Sequence, residues 1–424
     1  MSRKRLTPLT AAFSGLLCLA GFWITRTNLT EQALAQNAGA GGPRRPMILD
    51  RKPLRVVGDP YPTFHGVALD EERGEVFLGN DNKVSGVSIQ AYRVDFAPTD
   101  RVIEPRRRVS GPATRIGQIC GLGISPENNE LFFVNNDGDD NMGVLPLEAN
   151  GDVAPVRDLQ LPHGAWGVYW ERKFDELFIT VEHINQIVVY PRTATGGDSP
   201  LRMVQGPNTE LADPHGIYVD VEKNEIYVAN HGHWHRTETG EGFRMGPSGN
   251  LTVVRGNRFE NRNAVPLGPS TGKFIPPSIT VHSRAGSGDL APLRTIQGPK
   301  TGLNFPLGIY LDKISKQIVV ANGNDSVLFF DQNANGDVAP VRILKGPRTE
   351  LSEPTGSFID FKRSELWVSN WMGHSATVYP RAANGNVAPL RTIRSAPKGS
   401  PAAGFGNPGS LAYNSKRKEI LVPN

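Results

Sequence analysis

The sequence predicts an all-β fold, a seven-bladed β-propeller of four-stranded antiparallel blades, closed by two N-terminal and two C-terminal strands in one blade. Three observations predict it. The unit Pro214-His-Gly-Ile-Tyr-Val-Asp220, followed by Asn224-Glu-Ile-Tyr-Val-Ala-Asn230, recurs along the chain. Each copy is followed by two further short apolar runs, like Ser278-Ile-Thr-Val-His282 and Pro292-Leu-Arg-Thr-Ile296, bounded by Gly, Pro, Asn and Asp. Such runs are the signature of short antiparallel strands joined by turns. Finally, the ends complement each other: Leu421-Val-Pro-Asn424 ends on a second strand, while Met47-Ile-Leu-Asp50 and Pro53-Leu-Arg-Val-Val57 match a third and a fourth. Joining them would remove a free sheet edge.

Counted by the Gly of the first strand and the Glu of the second, the copies are His65-Gly with Glu75, Cys120-Gly with Glu130, Gly167 with Glu176, His215-Gly with Glu225, Gly308 with Gln317, Gly356 with Glu365, and Gly409 with Glu419. An unbroken repeat in 424 residues argues for one toroidal domain rather than several. Residues 47–424 are therefore assigned to the propeller. A stretch rich in Gly, Arg, Asn and Thr, residues 234–273, breaks the pattern and is placed as a loop insertion in blade four.

The N-terminus has its own character. Ser2-Arg-Lys-Arg5 precedes an apolar run from Ala11 to Ile24, and Ala33-Leu-Ala35 offers a small-x-small cleavage pattern. Residues 1–35 accordingly read as a signal peptide and 36–46 as a flexible leader, which places the protein in the periplasm or outside the cell, with an uncleaved anchor as the alternative. The mature form then has no membrane span, because the apolar run is shorter than the ~20 residues a spanning helix needs. Residues 1–35 carry a net of +3 of the chain's formal +4. The remainder, near +1, has no basic stripe with interleaved aromatics, which argues against nucleic acid. Removing Cys18 leaves Cys120 alone, so no intrachain disulfide is expected.

Positions that obey the repeat are read as structural. Arg55, Arg107, Arg157, Arg202, Arg294, Arg342 and Arg391 share one place on the outermost strand. Asn80, Asn135, Asn230, Asn322, Asn370 and Asn424 share the end of the second strand, where Asn tolerates a left-handed backbone and bonds nearby peptide groups.

Positions that depart from the repeat are more informative about function. Just before the inner-strand Gly stand His65, Cys120, Trp166, His215, Leu307, Thr355 and Pro408. In an antiparallel blade the loops after the second strands face the same mouth, and they carry Asp81, Asp137, Asp139, Asp140, Glu182, His183, His231, His233, His235 and His374, with His163 just ahead of Trp166. The candidate metal ligands are His65, Cys120, His163, His215, His231 and His233, since imidazole with an optional thiolate suits Zn or Cu. Glu182 is the candidate catalytic base, and Trp166, His183, His235, His374, Asp81 and Asp137 form a candidate ligand rim. The alternative is that these histidines fill the channel mouth and hydrogen-bond neighbouring carbonyls, with Cys120 a buried apolar residue. No phosphate loop, haem-attachment motif, zincin motif or nucleophile elbow occurs.

Ile226-Tyr-Val-Ala-Asn230, Ile318-Val-Val-Ala-Asn322 and Pro214-His-Gly-Ile217 resemble bacterial YVTN and NHL-type propeller repeats over about residues 47–424. Within that class, peptidyl-hydroxyglycine lyases resemble this chain in placing His-Gly strand starts around a channel metal, usually zinc. His65 and His215 match, and His163 matches with a shifted loop. The expectation is an exported binding protein that recognises a small molecule or a protein through one His-rich mouth. Its alternatives are a Zn- or Cu-dependent lyase or hydrolase and a structural surface-assembly component.

Overall fold

The computed structural model describes residues 59–136, 139–232, 242–245, 251–254, 275–400, 402, 412–414, 416 and 419–421. Their architecture is a β-propeller of six blades. Each blade is a four-stranded antiparallel sheet with its strands in sequence order from the axis outward. The inner strands are Phe64–Asp70, Ile119–Ser125, Ala165–Glu171, Pro214–Asp220, Pro306–Asp312 and Pro354–Asp360. In blade four the second strand, Glu225–Asn230, pairs directly with the third, Ser278–Ser283. Gly242–Met245 and Leu251–Val254, between these two in sequence, pair as a hairpin of their own.

The expected seven blades are therefore corrected to six. The seventh copy gives only Ala412–Asn414 paired with Glu419–Leu421, a two-stranded sheet. The matching N-terminal strands and Asn424 lie outside the described residues, and no blade built from both ends is shown. The ring closes without them. Thr355 Oγ1 and Ser369 Oγ of blade six donate to the His65 carbonyl of blade one at 2.8 and 2.9 Å, and Ile103 N donates to Arg394 O at 3.0 Å. The sequence repeat reports strand pairing within a blade, whereas ring size depends on how closely neighbouring blades approach.

That approach is set by the inner-strand glycines. A Cβ on Gly66, Gly121, Gly167, Gly216 or Gly308 would come within 3 Å of the carbonyl oxygen of Cys120, Trp166, His215, Leu307 or Thr355, one blade further on. On Gly356 it would meet Val67 and Ser369, with His65 O at 3.3 Å. Only glycine permits this backbone contact, and following it from blade to blade returns to the start after six steps.

A second cyclic set lies on the outer wall. Arg107, Arg157, Arg202, Arg294 and Arg391 pair with Glu75, Glu130, Glu176, Glu225 and Glu365 of their own second strands. Arg342 meets Gln317 instead, at 2.8 Å. All six also donate to a carbonyl of the following blade: Leu147, Arg192, Arg284, Gln332, Ala383 and, across the closure, Val94. The seventh member, Arg55, lies outside the described residues. A third device escaped the sequence reading. In Gly-Pro-x-Thr turns the backbone N–H groups of Ala113, Asn208, Lys300 and Arg348 donate to Asp152, Asp289, Asp337 and Asn386 of the next blade.

The asparagines ending the second strands act through their side chains. Oδ1 of Asn80, Asn135, Asn230, Asn322 and Asn370 accepts from the backbone N–H that leads into the same blade's inner strand. None of these five is left-handed, so that part of the expectation is corrected: the side-chain bond, not the backbone angle, explains the residue. The core lies between blades, as in the cluster of Phe132, Val134, Leu159, Ile179 and Val188.

Candidate ligand site at one mouth of the ring

The site is built on a bulge repeated in every blade. Pairing between the first and second strands slips at the residue before the inner glycine, for example between Phe64 and Val67 and between Pro214 and Ile217. A bulge frees a residue from the ladder and re-aims its side chain. The six residues so placed are His65, Cys120, Trp166, His215, Leu307 and Thr355, one per blade. All except Trp166 are buried.

The residue after each second strand supplies a neighbouring tier: Asp81, Asn136, Glu182, His231, Gly323 and Trp371. The two tiers interlock as an aromatic arc. Phe305 stacks on His231 with centroids 3.8 Å apart, and His231 stacks on His215 at 3.4 Å. Trp166 meets His215 edge-on at 4.0 Å, His65 meets Trp166 at 4.8 Å, and Trp371 meets His65 at 6.0 Å. Trp371 Nε1 donates to Asp81 Oδ1 at 3.2 Å, which Thr63 Oγ1 also reaches at 2.7 Å.

A chain of charged contacts runs behind the arc. His183 Nε2 and His215 Nε2 lie 2.7 and 3.0 Å from the two oxygens of Glu182. His215 Nδ1 is 2.8 Å from the Asp213 carbonyl. With an acceptor at each ring nitrogen, the surroundings of His215 favour its protonated form. Burial opposes that charge, but Glu182 and Asp213 outweigh it and raise the pKa above the ordinary value. Burial likewise opposes ionisation of Glu182, and the two histidine hydrogen bonds overcome it, holding the carboxyl far below its usual range. A carboxylate so occupied is a weak base, so Glu182 fits the orientation of two histidines better than proton abstraction.

His231 is different. Burial, then the neighbouring charge of His215, lowers its pKa well below 6.5. Its Nδ1 is 3.8 Å from Asp213 Oδ2, and its buried Nε2 has no hydrogen-bond partner among the described residues. His65 is also pushed toward the neutral form, chiefly by burial.

The structure thus brings His65, Trp166, His215, His231, Glu182, His183 and Asp81 to one mouth. His163 sits beside His183, centroids 4.9 Å apart, with Nδ1 2.8 Å from Asp140 Oδ1. Cys120 is buried in the ring of six. His374 is buried between Pro62 O and Asp59 Oδ2, each 3.0 Å away, which ties blade six to blade one rather than presenting a ligand rim. His233, His235 and Asp137 lie outside the described residues. The sequence reading missed Trp371, Asp213 and Phe305. Trp371 was legible, because it follows Asn370 as Asp81 follows Asn80. Asp213 and Phe305 owe their placement to left-handed backbone, φ 58° and 54°, a conformation that is an outlier for phenylalanine and that no residue pattern announces.

No protein-family profile matches the chain, and no curated protein matches it. Among solved structures, hydrazine synthase of Kuenenia stuttgartiensis is similar at 12% identity and a TM-score of 0.49, covering 88% of this chain and 98% of that one. The WD40 β-propeller domain of Doa1 is similar at 10% identity and a TM-score of 0.46, covering 87% of this chain and 90% of that one. Neither likeness carries an argument about activity. Among the described residues no helix is long and apolar enough to cross a membrane.

As a metal centre, the mouth offers a different set from the one read in the sequence. One ligand atom each of Asp213, His215 and His231 lies within 4.8 Å of the others. One carboxylate and two imidazoles suit Zn or Cu. His215 could join only by giving up its contact with Glu182 or with the Asp213 carbonyl. Cys120 and His163 are not in the set.

Proposed function

We propose that this chain is a β-propeller binding protein that engages a small-molecule or protein ligand at the mouth bearing His65, Trp166, His215 and His231. The observation that carries this reading is His231 Nε2, a buried ring nitrogen without a partner inside an arc of aromatic side chains. An orphaned buried polar atom costs about 1–3 kcal/mol, a cost that a ligand atom donating to it would offset. Phe305, half exposed, and Trp166, part-buried, give such a ligand flat apolar surface to lie against. The ligand class is a group with an O–H or N–H donor next to a planar apolar part. The mouth belongs to a repeat of the YVTN and NHL kind, and the pattern in residues 1–35 makes the protein an exported one, cleaved after Ala35. Ligand-observed NMR with a fragment library tests the binding reading. Fragments of the stated class should bind the wild type and lose their signal with His231→Phe, and a screen in which the variant binds the same fragments equally removes the proposal.

A second reading, a Zn- or Cu-dependent lyase or hydrolase, is favoured by the Asp213, His215 and His231 grouping. Metal analysis of protein purified without a histidine tag decides it. Bound metal lost in both Asp213→Ala and His231→Phe supports a metal centre, and metal-free wild type after exposure to Zn and Cu(II) removes it.

A further inference from the structure

The channel contains a cavity of about 870 Å³ whose lining begins at His65, Cys120 and Trp166 of the mouth. Its walls are the inner strands, and its asymmetry is specific to this chain. Two residues beyond each inner glycine stand Ala68, Gly123, Tyr169, Tyr218, Tyr310 and Phe358. Blades three to six thus carry large aromatic rings at one level, while blades one and two carry almost nothing. The rings form a continuous belt: Tyr169 to Tyr218 is 4.8 Å between centroids, Tyr218 to Tyr310 is 4.8 Å, and Tyr310 to Phe358 is 4.7 Å. Of these residues Ala68, Gly123, Tyr169, Tyr310 and Phe358 line the cavity, while Tyr218 is buried outside its lining.

A second observation points to an occupant. One residue beyond each inner glycine stand Val67, Leu122, Val168, Ile217, Ile309 and Ser357, five apolar side chains and one hydroxyl. Ser357 lines the cavity, is 7% exposed, and its buried Oγ has no hydrogen-bond partner among the described residues. The charged residues of the lining stand at or just after the ends of the inner strands, away from the mouth, and Asp70 Oδ2 among them is buried without a hydrogen-bond partner among the described residues. Asp70 accepts from the backbone of Glu72 and Arg73, Glu171 from that of Lys173 and Phe174, and Glu71 from that of Phe361. Tyr169 and Tyr218 share a hydrogen bond with each other. Between that charged end and the histidines, the free chemistry is aromatic faces plus the Ser357 hydroxyl, which suits an uncharged ligand, and the volume is in the range of small-molecule sites.

We propose that the middle of this channel, which His215 and His231 do not line, is a binding site for one uncharged small molecule with a flat ring system. Its ring lies against the Tyr310–Phe358 part of the belt, and a carbonyl or hydroxyl group meets Ser357 Oγ. The probe 6-propionyl-2-(dimethylamino)naphthalene has this chemistry: it is neutral, flat and carries one carbonyl.

Titrated into the full chain, the probe should show a saturable, blue-shifted emission. Gly123→Leu should weaken its binding by about tenfold or more by adding bulk to the cavity wall, and Ser357→Ala by roughly fivefold through the lost hydrogen bond. A Cβ on Gly123 meets Val168 and Phe132 at 3.5–3.7 Å, ordinary contact distances. Gly123→Ala therefore gives a folded intermediate, checked by thermal unfolding, with binding weakened in the same direction. His231→Phe should bind the probe like the wild type, which separates this site from the histidine mouth. Absence of saturable binding, wild-type affinity in both Gly123→Ala and Ser357→Ala, or loss of binding in His231→Phe overturns the proposal.

Discussion

The outer wall and the inner mouth of the ring are built on the same six-fold backbone, yet they use it in opposite ways. On the outer wall one clasp is repeated: an arginine on its own blade's glutamate and on the next blade's carbonyl. At the mouth, six equivalent bulges hold His65, Cys120, Trp166, His215, Leu307 and Thr355, with no residue used more than twice. A ring needs the same contact at every junction, so what closes it must repeat. A ligand is recognised once, so what binds it must not.

Four substitutions would break or sharpen that contrast, in falling order of effect. Gly216→Val puts a branched side chain against the backbone of Leu307 and Ile309. It should cost about 4 kcal/mol or more and leave little folded protein in a denaturant titration. Arg391→Ala strands Glu365, which is 8% exposed, and opens the junction between the last blade and the first. About 3–4 kcal/mol should be lost, whereas Arg342→Ala, whose partner is the neutral Gln317, should lose clearly less. Equal losses at the two sites would show that the carbonyl contact, not the ion pair, dominates the clasp.

The third concerns His282, which stands where other blades carry Tyr92, Leu145, Tyr190, Phe330 and Tyr379. Burial depresses its pKa from 6.5 to about 4. A depressed folded-state value means that its stability is present above pH 6.5 and is lost as pH falls from there toward 4. That loss is of order 3 kcal/mol, and His282→Phe should flatten thermal midpoint against pH in this window. The smallest effect belongs to the mouth. His231→Phe removes an orphaned nitrogen while keeping the stack between His215 and Phe305, so it should stabilise the protein by about 1 kcal/mol while abolishing ligand binding there. A destabilised variant would mean that His231 serves the fold rather than a ligand.

Much of this was legible because strands and turns are local. The alternation and turn residues around each Gly and Glu give the four-stranded blades, and the shared register of the arginines gives their structural role. The place of His65, Trp166 and His215 on one ring follows from the same register. Legibility failed where distant blades meet. The Gly409 and Glu419 copy departs from the repeat by one residue, its Gly and Glu being ten apart where those of the other six copies are nine, and among the described residues its strands pair only with each other. Glu182 looked like a free carboxylate because its two histidine partners, one on the next blade, are invisible in the local pattern.

The sequence by itself determined the blade, its strand order and the tier on which each unrepeated side chain sits, because those depend on hydrogen bonding between neighbours a few residues apart. Only the tertiary structure decided that six blades complete the circle, that His215 is clamped between Glu182 and the Asp213 carbonyl, and that Tyr169, Tyr310 and Phe358 line one channel cavity. Those outcomes depend on how closely packed blades approach one another across the ring, and a glycine touching the next blade's carbonyl fixes that distance.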